Sequence, residues 1–434
     1  IETGETVTDA QLVGTQSQQP DPLAKTDGES FIPVSASDVK DAVEQSVKQS
    51  VEQSSSKNGA TVKLAKFDGN DYGAHWGTYN NTKAFFDYRN NLFVQQAKGV
   101  IDVSSWQGDI DWAKAKADGV EGAIIRLGFG WGNDADAKAQ RNINECKRLG
   151  IPFGVYWYSY SYDSNTARSE GNDVVSKLRQ MGVSPNDLKY PVYYDLERWT
   201  WTGHTPPTDP NVYNGIVNAW YGALQSSGYQ NLGVYSYTSY LQGPLNNANI
   251  YAKTRWVAQY GPQMEFTAFG TNDRGWQYTE SGHINGISGS VDMSAFGVKE
   301  LSQNVPIYRM YNRNSGLHHY TANYDEALDL SLKGWLAEGI SFFAAREGNP
   351  VYRVYNPHDG NHHYTKDSEE KNYLVSLGWR DEGIGWFVPD EGKANVYRLY
   401  NPYSGDHVFT EDFEEYNSAG SVGWHKEGIA WQSN

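Results

Sequence analysis

The sequence predicts an α/β barrel followed by an all-β region. From about residue 99 to residue 298, apolar strand-like runs alternate with helical stretches, which indicates a parallel sheet with helices outside it. From Val305 to Asn434 this alternation is absent, and one short pattern occurs three times instead. A low-complexity segment, residues 1–58, precedes both parts.

The length of 434 residues indicates two to four domains. The composition argues against some classes of function. The net charge of −16 argues against nucleic acid as a partner, because phosphates repel an acidic surface. The 31 Tyr and 15 Trp residues offer flat apolar faces with a polar edge, which suit both sugar stacking and β-rich cores. We expect no membrane span, because no run of about 18 apolar residues occurs.

A single cysteine, Cys146, excludes an intramolecular disulfide. It falls in a predicted amphipathic helix over Ala137–Leu149, where we expect a small buried hydrophobic side chain. A secreted protein without disulfides is typical of Gram-positive bacteria. If the protein is secreted, the missing disulfides therefore point to such a bacterium, and we expect a monomer.

The amino-terminal part has two sections. Residues 1–58 are rich in Ser, Gln, Thr, Glu and Asp, with Phe31 as the single aromatic residue, so they cannot bury enough apolar surface to offset the entropy of ordering. We predict a disordered extension. Residues 59–98 contain a predicted hairpin over Ala84–Val94 that turns at Arg89–Asn91, and we expect this section to pack on the barrel.

The barrel is predicted over residues 99–298. Its strand-like runs are Gly99–Ser104, Gly122–Leu127, Phe153–Tyr160, Val192–Glu197, Leu232–Tyr237, Arg255–Gln259, Gly275–Tyr278 and Gly289–Met293. Helical stretches between the first five are Asp111–Ala117, Ala137–Leu149, Thr166–Met181 and Pro210–Ser226. Eight strands in about 200 residues indicate a barrel smaller than a full eightfold β/α barrel, with functional side chains at the carboxyl ends of its strands.

Two acids stand at the end of the fourth strand, in Tyr193-Tyr-Asp-Leu-Glu197. Residues i and i+2 of a strand face the same side, so Asp195 and Glu197 would lie roughly 6–7 Å apart at their α-carbons. At an effective dielectric near 20, their charges repel by roughly 3 kcal/mol, or about 2 pKa units. One acid therefore tends to keep its proton while the other ionises, which is the pairing that glycoside hydrolysis requires.

Two further acids lie near strand ends, Asp102 in the first strand and Asp292 in the last. Taken singly, each is more typical of a cap or turn than of a catalytic group. With their neighbours they form a set of motifs: Asp102-Val-Ser-Ser-Trp-Gln-Gly108, Tyr194-Asp-Leu-Glu197, Trp276-Gln-Tyr278 and Val291-Asp-Met293.

This set, in this order, resembles the glycoside hydrolase family 25 muramidases over residues 98–298. The resemblance implies an incomplete barrel, with five β/α-type strands followed by three more strands. It implies hydrolysis of the β-1,4 bond between N-acetylmuramic acid and N-acetylglucosamine in peptidoglycan glycan strands.

The resemblance also implies roles for the four acids. Glu197 matches the proton donor, and Asp195 matches the second carboxylate, which acts either as a nucleophile or on the substrate's acetamido group. Asp102 and Asp292 match acids that line the same cleft. We expect no metal and no organic cofactor, because two carboxylates and water suffice for this chemistry.

Side chains around the acids are candidates for substrate binding. Trp199 lies just beyond Glu197, so we predict that it forms a sugar platform. The other aromatic candidates are Tyr156, Tyr158, Tyr235 and Trp276. Arg126, at the end of the second strand, either pairs with a carboxylate or meets the substrate. Because side chains alternate along a strand, each aromatic candidate could instead face the helix layer and pack in the core.

The carboxyl-terminal part, residues 305–434, contains three repeats. Their Tyr-Arg-x-Tyr-Asn motifs begin at Tyr308, Tyr352 and Tyr397, spaced by 44 and 45 residues, and each repeat closes with Gly-Trp-x-x-Glu-Gly-Ile. Three units are too few for a propeller, so we predict a β-trefoil that binds other cell-wall glycans. The repeat histidines do not predict a metal site, because neighbouring strand residues face opposite sides and no cysteine accompanies them.

Two other classes of function remain open at this level. The barrel could be a non-catalytic glycan-binding domain, or it could hydrolyse another polysaccharide such as chitin by the same mechanism. Bacterial autolysin, secreted weapon against competitors and phage endolysin are equally compatible with the sequence.

Overall fold

The computed structural model describes residues 19–23, Ile32 and 67–434. The chain divides into two compact units, one containing the described residues up to Trp76 together with Phe85–Lys299, the other containing Gly77–Ala84 and Glu300–Asn434. The rest of the predicted disordered extension lies outside the described residues. Residues 19–23 and Ile32 are exceptions to that prediction, because they are placed and partly or fully buried.

None of the helices in the described part of the chain combines the length and apolar character that crossing a membrane requires.

Three short strands precede the barrel: β1 (His75–Tyr79), β2 (Thr82–Phe86) and β3 (Leu92–Gln95), which form a sheet in the order β1-β2-β3. The predicted turn between the last two is confirmed, with Asn90 at a positive φ of 64°. Phe85 and Phe93 each pack edge-on against Trp276 of the barrel, with ring centroids 5.4 Å apart. Phe85 and Phe93 therefore cover part of one outer face of the barrel.

Within the residues that the structure describes, the first unit contains eight barrel strands and six α-helices. The strands are β4 (Lys98–Val103), β5 (Gly122–Phe129), β6 (Phe153–Tyr158), β7 (Leu188–Asp195), β8 (Leu232–Tyr237), β9 (Thr254–Ala258), β10 (Gly275–Gly282) and β11 (Val291–Phe296). The helices are α1 (Trp112–Ala117), α2 (Ala139–Leu149), α3 (Ser164–Gln180), α4 (Pro210–Gln225), α5 (Thr238–Gln242) and α6 (Ala248–Lys253).

The eight strands close into a barrel in the order β10-β11-β4-β5-β6-β7-β8-β9. Strands β4 to β10 are parallel to their neighbours, and β11 closes the ring by pairing antiparallel with both β10 and β4. Helices follow each of the strands β4 to β8, whereas β9, β10 and β11 follow one another directly. The α/β barrel prediction is confirmed, and the observed order is five strand–helix steps followed by three strands.

Helix α2 illustrates why the predicted helices form. Its buried side chains, Asn142, Ile143 and Cys146, recur at helical spacing and face the sheet, as predicted for the cysteine. The helix ends at Gly150, whose positive φ of 65° lets its N–H bond to the carbonyl oxygens of the last turn. Such local signals placed α1 to α4 within two residues of their observed ends, whereas α5 and α6 were not predicted.

The second unit is built from three repeats. Repeat 1 consists of β12 (Asn304–Asn312), β13 (Leu317–Thr321), α7 (Tyr324–Leu332) and β14 (Leu336–Ala345). Repeat 2 consists of β15 (Asn349–Tyr355), β16 (His362–Thr365), α8 (Ser368–Ser376) and β17 (Arg380–Val388). Repeat 3 consists of β18 (Ala394–Tyr400), β19 (His407–Thr410), α9 (Phe413–Ser421) and β20 (His425–Ser433).

The three repeats close on one another around a shared aromatic core. Phe342, Trp386 and Trp431 come from equivalent positions, and their ring centroids are 5.7, 5.7 and 5.9 Å apart. Such nearly equal distances indicate a pseudo-threefold axis through the core. The β-trefoil assignment itself is unconfirmed, because each repeat has three strands and a nine-residue helix that the sequence pattern does not indicate.

Ion pairs join each repeat to the next in a cyclic pattern. Within each repeat, an Arg of the first strand pairs with a Glu of the last strand, and the same Arg reaches a Glu on the helix of another repeat. The pairs between repeats are Arg309–Glu415, Arg353–Glu326 and Arg398–Glu370, at 3.0, 2.9 and 3.4 Å. The first repeat thus binds the third, which completes a ring. The histidines His318, His362 and His407 each lie 3.2 to 3.4 Å from a Glu of their own repeat.

Candidate active site

Four acids meet at the carboxyl ends of the parallel strands. Asp102 lies near the end of β4, and Asp195 is the last residue of β7. Asp292 lies at the start of the antiparallel strand β11, where its backbone pairs directly with that of Asp102. Together with Glu197, these acids line one cavity of about 490 Å³. The structure therefore brings together all four predicted acids, whereas their chemical roles stay a prediction.

Burial strongly affects the charge of Asp102. Its side chain is almost inaccessible to solvent, and burial raises its pKa to about 7. The Asp102 and Asp292 carboxyls are hydrogen-bonded to each other, which requires that one of them hold a proton. Near neutral pH, Asp102 therefore exchanges between its neutral and its ionised form inside the cleft.

A hydrogen-bond chain across the barrel orients Asp102. Gln277 on β10 donates from Nε2 to Oδ1 of Asp102 at 2.9 Å. The hydroxyls of Tyr235 and Tyr260 both donate to Oε1 of Gln277, at 2.7 and 2.8 Å. Because these two donors fix the orientation of the amide, its N–H must point at the carboxylate. Sequence reasoning missed Gln277 and Tyr260, although Gln277 lies within the recognised motif.

The backbone holds Asp195 and Glu197 beyond the end of β7. The N–H of Ser159 donates to the carbonyl oxygen of Asp195 at 3.0 Å, and the N–H of Leu196 donates to that of Tyr235 at 3.0 Å. The Ser236 hydroxyl then donates to the Leu196 carbonyl oxygen at 2.5 Å. These bonds extend the strand by one step, so that both acids face the cavity, with Asp195 buried and Glu197 partly exposed.

Most of the predicted substrate-binding side chains line the same cavity: Tyr156, Tyr158, Tyr235 and Arg126. Arg126 is 3% exposed and donates from Nε to Asp136 at 2.7 Å, so of its two alternatives the structure shows the carboxylate pairing, and substrate binding stays a prediction. Trp106 also lines the cavity and is 53% exposed, which gives the cleft an open aromatic face. Trp106 lies within the motif Asp102–Gly108, but it was not predicted to bind substrate.

Two predicted sugar contacts are wrong. Trp199 is 2% exposed and packs against Tyr160 and Trp201 instead of lining the described cavity. Trp276 is fully buried on the opposite side of β10, where its indole N–H donates to the Gln259 carbonyl oxygen at 2.8 Å. Trp276 faces outward because its neighbour Gln277 faces inward, and side chains alternate along a strand.

The part of the chain that contains this site matches a known family of enzymes. Residues 101–287, which contain three of the four acids, match the glycosyl hydrolases family 25. The barrel is a family 25 glycosyl hydrolase domain. Residues 306–434, the three repeats, match a domain of unknown function, DUF5648.

Relatives of the family 25 domain include two bacterial lysozymes. The autolytic lysozyme of Clostridium acetobutylicum is 25% identical over 199 residues, and lysozyme M1 of Streptomyces globisporus is 25% identical over 200 residues. Each match covers 45% of this chain, and the matches span 55% and 66% of the two relatives. Among solved structures, the modular autolysin LytC from Streptococcus pneumoniae is 34% identical over 51% of each chain, with a TM-score of 0.47.

Proposed function

We propose that the family 25 domain is a muramidase, which hydrolyses the β-1,4 bond between N-acetylmuramic acid and N-acetylglucosamine in peptidoglycan. The observation that carries the proposal is the convergence of Asp102, Asp195, Glu197 and Asp292 on one cavity at the carboxyl ends of the strands. The relatives named as lysozymes support the same substrate class.

The proposed mechanism gives different roles to Asp195, the last residue of β7, and Glu197, which follows that strand. Glu197, the more exposed of the two, donates a proton to the leaving glycosidic oxygen. Asp195 stays ionised and either attacks the anomeric carbon or stabilises the positive charge on an attacking acetamido group. Asp102 and Asp292 add negative potential, which favours the oxocarbenium-like transition state in a cleft where burial strengthens electrostatic effects.

The cleft offers apolar and polar groups that suit an amino sugar. Trp106 and Tyr158 present aromatic faces for stacking, and the amide of Gln277 keeps Asp102 in position. A substrate of this kind is met outside the membrane, so we propose a secreted enzyme that is associated with the cell wall.

We further propose that the three repeats bind cell-wall glycan. The supporting observation is that the closing Glu-Gly-Ile motif exposes an isoleucine in each repeat: Ile340, Ile384 and Ile429 are 49%, 49% and 56% exposed. Three equivalent apolar side chains at one position offer the repeated contacts that a polymer of identical units can match. Sedimentation of the protein with sacculi, with all three isoleucines changed to Ser, would test this: unchanged binding would contradict it.

The muramidase proposal is tested by digesting purified Gram-positive sacculi and reducing the products with borohydride before mass spectrometry. We expect fragments that end in reduced muramic acid, and we expect Glu197→Gln to lower their rate of release by at least about a thousandfold, because proton donation and charge control are lost together. Glu280→Gln is the matched control, since Glu280 lines the same cavity but has no proposed role.

Three results would contradict the proposal. Reduced glucosamine ends would indicate a glucosaminidase, and cleavage of chitin but not of sacculi would indicate another substrate. Full activity in Glu197→Gln, with unchanged near-ultraviolet circular dichroism, would remove Glu197 from the mechanism.

A further inference from the structure

A short segment of this chain lies in the proposed active-site cleft. Residues 19–23, which we call the strap, read Gln-Pro-Asp-Pro-Leu. Pro20, Asp21, Pro22 and Leu23 line the same cavity as the four acids, and Ile32 lines it as well. The strap lies at least 75 residues before the first barrel strand, so its position depends on specific contacts rather than on chain connectivity.

An ion pair anchors the centre of the strap. Arg126 donates from Nη1 to Oδ1 of Asp21 at 2.9 Å, and the two side chains are 3% and 20% exposed. The other side of the same guanidinium binds Asp136. Arg126 is thus held between two carboxylates, one from the barrel and one from the strap. The strap therefore occupies the face of Arg126 that opens into the cleft.

Hydrogen bonds anchor the start of the strap. Gln19 is fully buried, and its Oε1 accepts from the Trp131 N–H at 3.1 Å and from Asn133 Nδ2 at 3.0 Å. The Tyr160 hydroxyl donates to the Pro20 carbonyl oxygen. These partners belong to the segments that follow β5 and β6, which form one side of the cleft.

The site that receives Gln19 depends on a glycine. Gly130 has a φ of 58°, and a β-carbon there would lie 1.9 Å from Oε1 of Gln19. The side chain thus approaches the backbone more closely than any other residue at position 130 would allow. A buried glutamine, a paired arginine and a glycine cradle together make a built site for this one segment.

We propose that the strap is an autoinhibitory segment that excludes glycan from the cleft and must leave before substrate enters. The inference rests on the proposed function, because it concerns access to the same four acids. The strap is tethered to the barrel, so it competes at a high effective concentration, and the measured affinity for glycan falls in proportion to the open fraction.

The test uses the full chain with substitutions confined to the strap: Asp21→Asn, Gln19→Ala and the double variant. Because no barrel residue changes and Arg126 keeps Asp136, the barrel should fold normally. We expect the double variant to lower KM for soluble peptidoglycan fragments by about tenfold with kcat unchanged, since only the competing closed state is weakened. Glu145→Gln, on a surface pair with Arg148, is the matched control for loss of one negative charge.

A second measurement does not depend on catalysis. Carbodiimide coupling of glycine ethyl ester, followed by peptide mass spectrometry, reports how accessible the Glu197 carboxyl is. We expect faster labelling of Glu197 in the double variant than in the wild type and in Glu145→Gln. Hydrogen exchange of residues 19–23 should rise in parallel.

The outcomes separate this inference from the muramidase proposal. Unchanged labelling of Glu197 despite faster exchange in the strap would overturn the inference, as would a higher KM, which would make the strap part of the substrate-binding wall. Faster labelling in a protein that cleaves no glycan would support the strap and contradict the muramidase proposal instead.

Discussion

At the residue scale, Asp102 is the acid in the cleft whose charge changes near neutral pH. Burial raises the pKa of Asp102 to about 7, and Glu197 lies close enough to interact with it electrostatically. Above that pH, an ionised Asp102 adds a negative charge beside the proposed proton donor. This charge favours the protonated form of Glu197, which is the form that catalysis requires.

Asp102→Asn should therefore shift the alkaline limb of the kcat/KM profile to lower pH. We expect a shift of about half to one pH unit, because one nearby negative charge is lost. Rates on soluble fragments from pH 4 to pH 9 would measure it. Glu145→Gln should leave the pH profile of kcat/KM unchanged. An unchanged alkaline limb in Asp102→Asn would contradict the electrostatic effect of Asp102 on Glu197.

A second buried acid, Glu170 on α3, makes the stability of the barrel depend on pH. It is fully buried, and it accepts hydrogen bonds from the hydroxyls of Ser159, Ser161 and Tyr194 and from the Tyr160 N–H. Burial nevertheless raises its pKa from 4.5 to about 7. The folded state therefore binds this proton more tightly than the unfolded chain does.

The stabilisation from protonated Glu170 is complete below pH 4.5 and is lost as the pH rises through about 7. The shift corresponds to roughly 3 kcal/mol. Glu170→Gln should abolish this contribution, so the barrel's free energy of unfolding should fall less between pH 5 and pH 8 than in the wild type. Urea unfolding at several pH values would measure the slope, and equal slopes would contradict the assignment whatever the absolute stabilities.

Residue-level prediction brought the acids at the end of β7 to the cavity correctly but placed two tryptophans there wrongly. Asp195 and Glu197 were found because a strand end fixes which side they face. Trp276 was assigned wrongly, although its neighbour Gln277 faces inward and fixes the alternation of β10. Trp199 was wrong for a different reason, because β7 ends at Asp195 and alternation does not extend to residue 199.

Cyclic ion pairs hold the repeats together at the scale of elements. Arg309 on β12 binds Glu338 of its own repeat at 2.7 Å and Glu415 of the third repeat at 3.0 Å. Its side chain is 17% exposed, so removing it leaves two partly buried carboxylates without their cation. The repeats themselves were predictable from the spacing of 44 and 45 residues, whereas these contacts between repeats were not.

Arg309→Gln should lower the free energy of unfolding of the second unit by about 1–3 kcal/mol, because its two partners are less than fully buried. Thermal unfolding would measure the change, with Arg353→Gln expected to behave alike. Arg148→Gln, which removes an exposed pair within α2, should have no measurable effect. Equal stability of Arg309→Gln and Arg148→Gln would contradict the importance of the ring.

The eight strands and the first four helices of the barrel were predicted to within about four residues because their signals are local, whereas the short helices α5 and α6 were not predicted. The strap was not predictable, because Gln19 and Asp21 find their partners more than 100 residues away. A polar segment with no periodicity carries no local signal for such contacts. Composition therefore predicted disorder where burial against Arg126 and Gly130 produces order.

At the scale of the whole molecule, the net charge of −16 determines the long-range electrostatic force on a charged partner. A Gram-positive wall is also anionic, so long-range electrostatics oppose the approach of this protein. The proposed binding to the wall therefore requires specific sugar contacts, and salt should screen the repulsion.

Binding to sacculi should accordingly stay constant or strengthen between about 20 and 300 mM salt, over which screening becomes nearly complete at protein dimensions. Sedimentation with Glu197→Gln, which should not digest the sacculi, would measure it. Binding to uncharged chitin should not vary with salt and provides the control. Weaker binding to sacculi at high salt would indicate an electrostatic contribution that the net charge does not predict.

Both units are closed rings, and closure has a consequence for how the protein is made. In the barrel, Gln277 lies 175 residues after Asp102, its hydrogen-bond partner on the first strand. At about 5–20 residues per second, a ribosome needs roughly 10–35 s to cover that distance. Until then the edge of β4 that pairs with β11 is open to strands of other chains. The longer this edge stays open, the more time other chains have to pair with it, so slower translation should lower the yield of soluble protein.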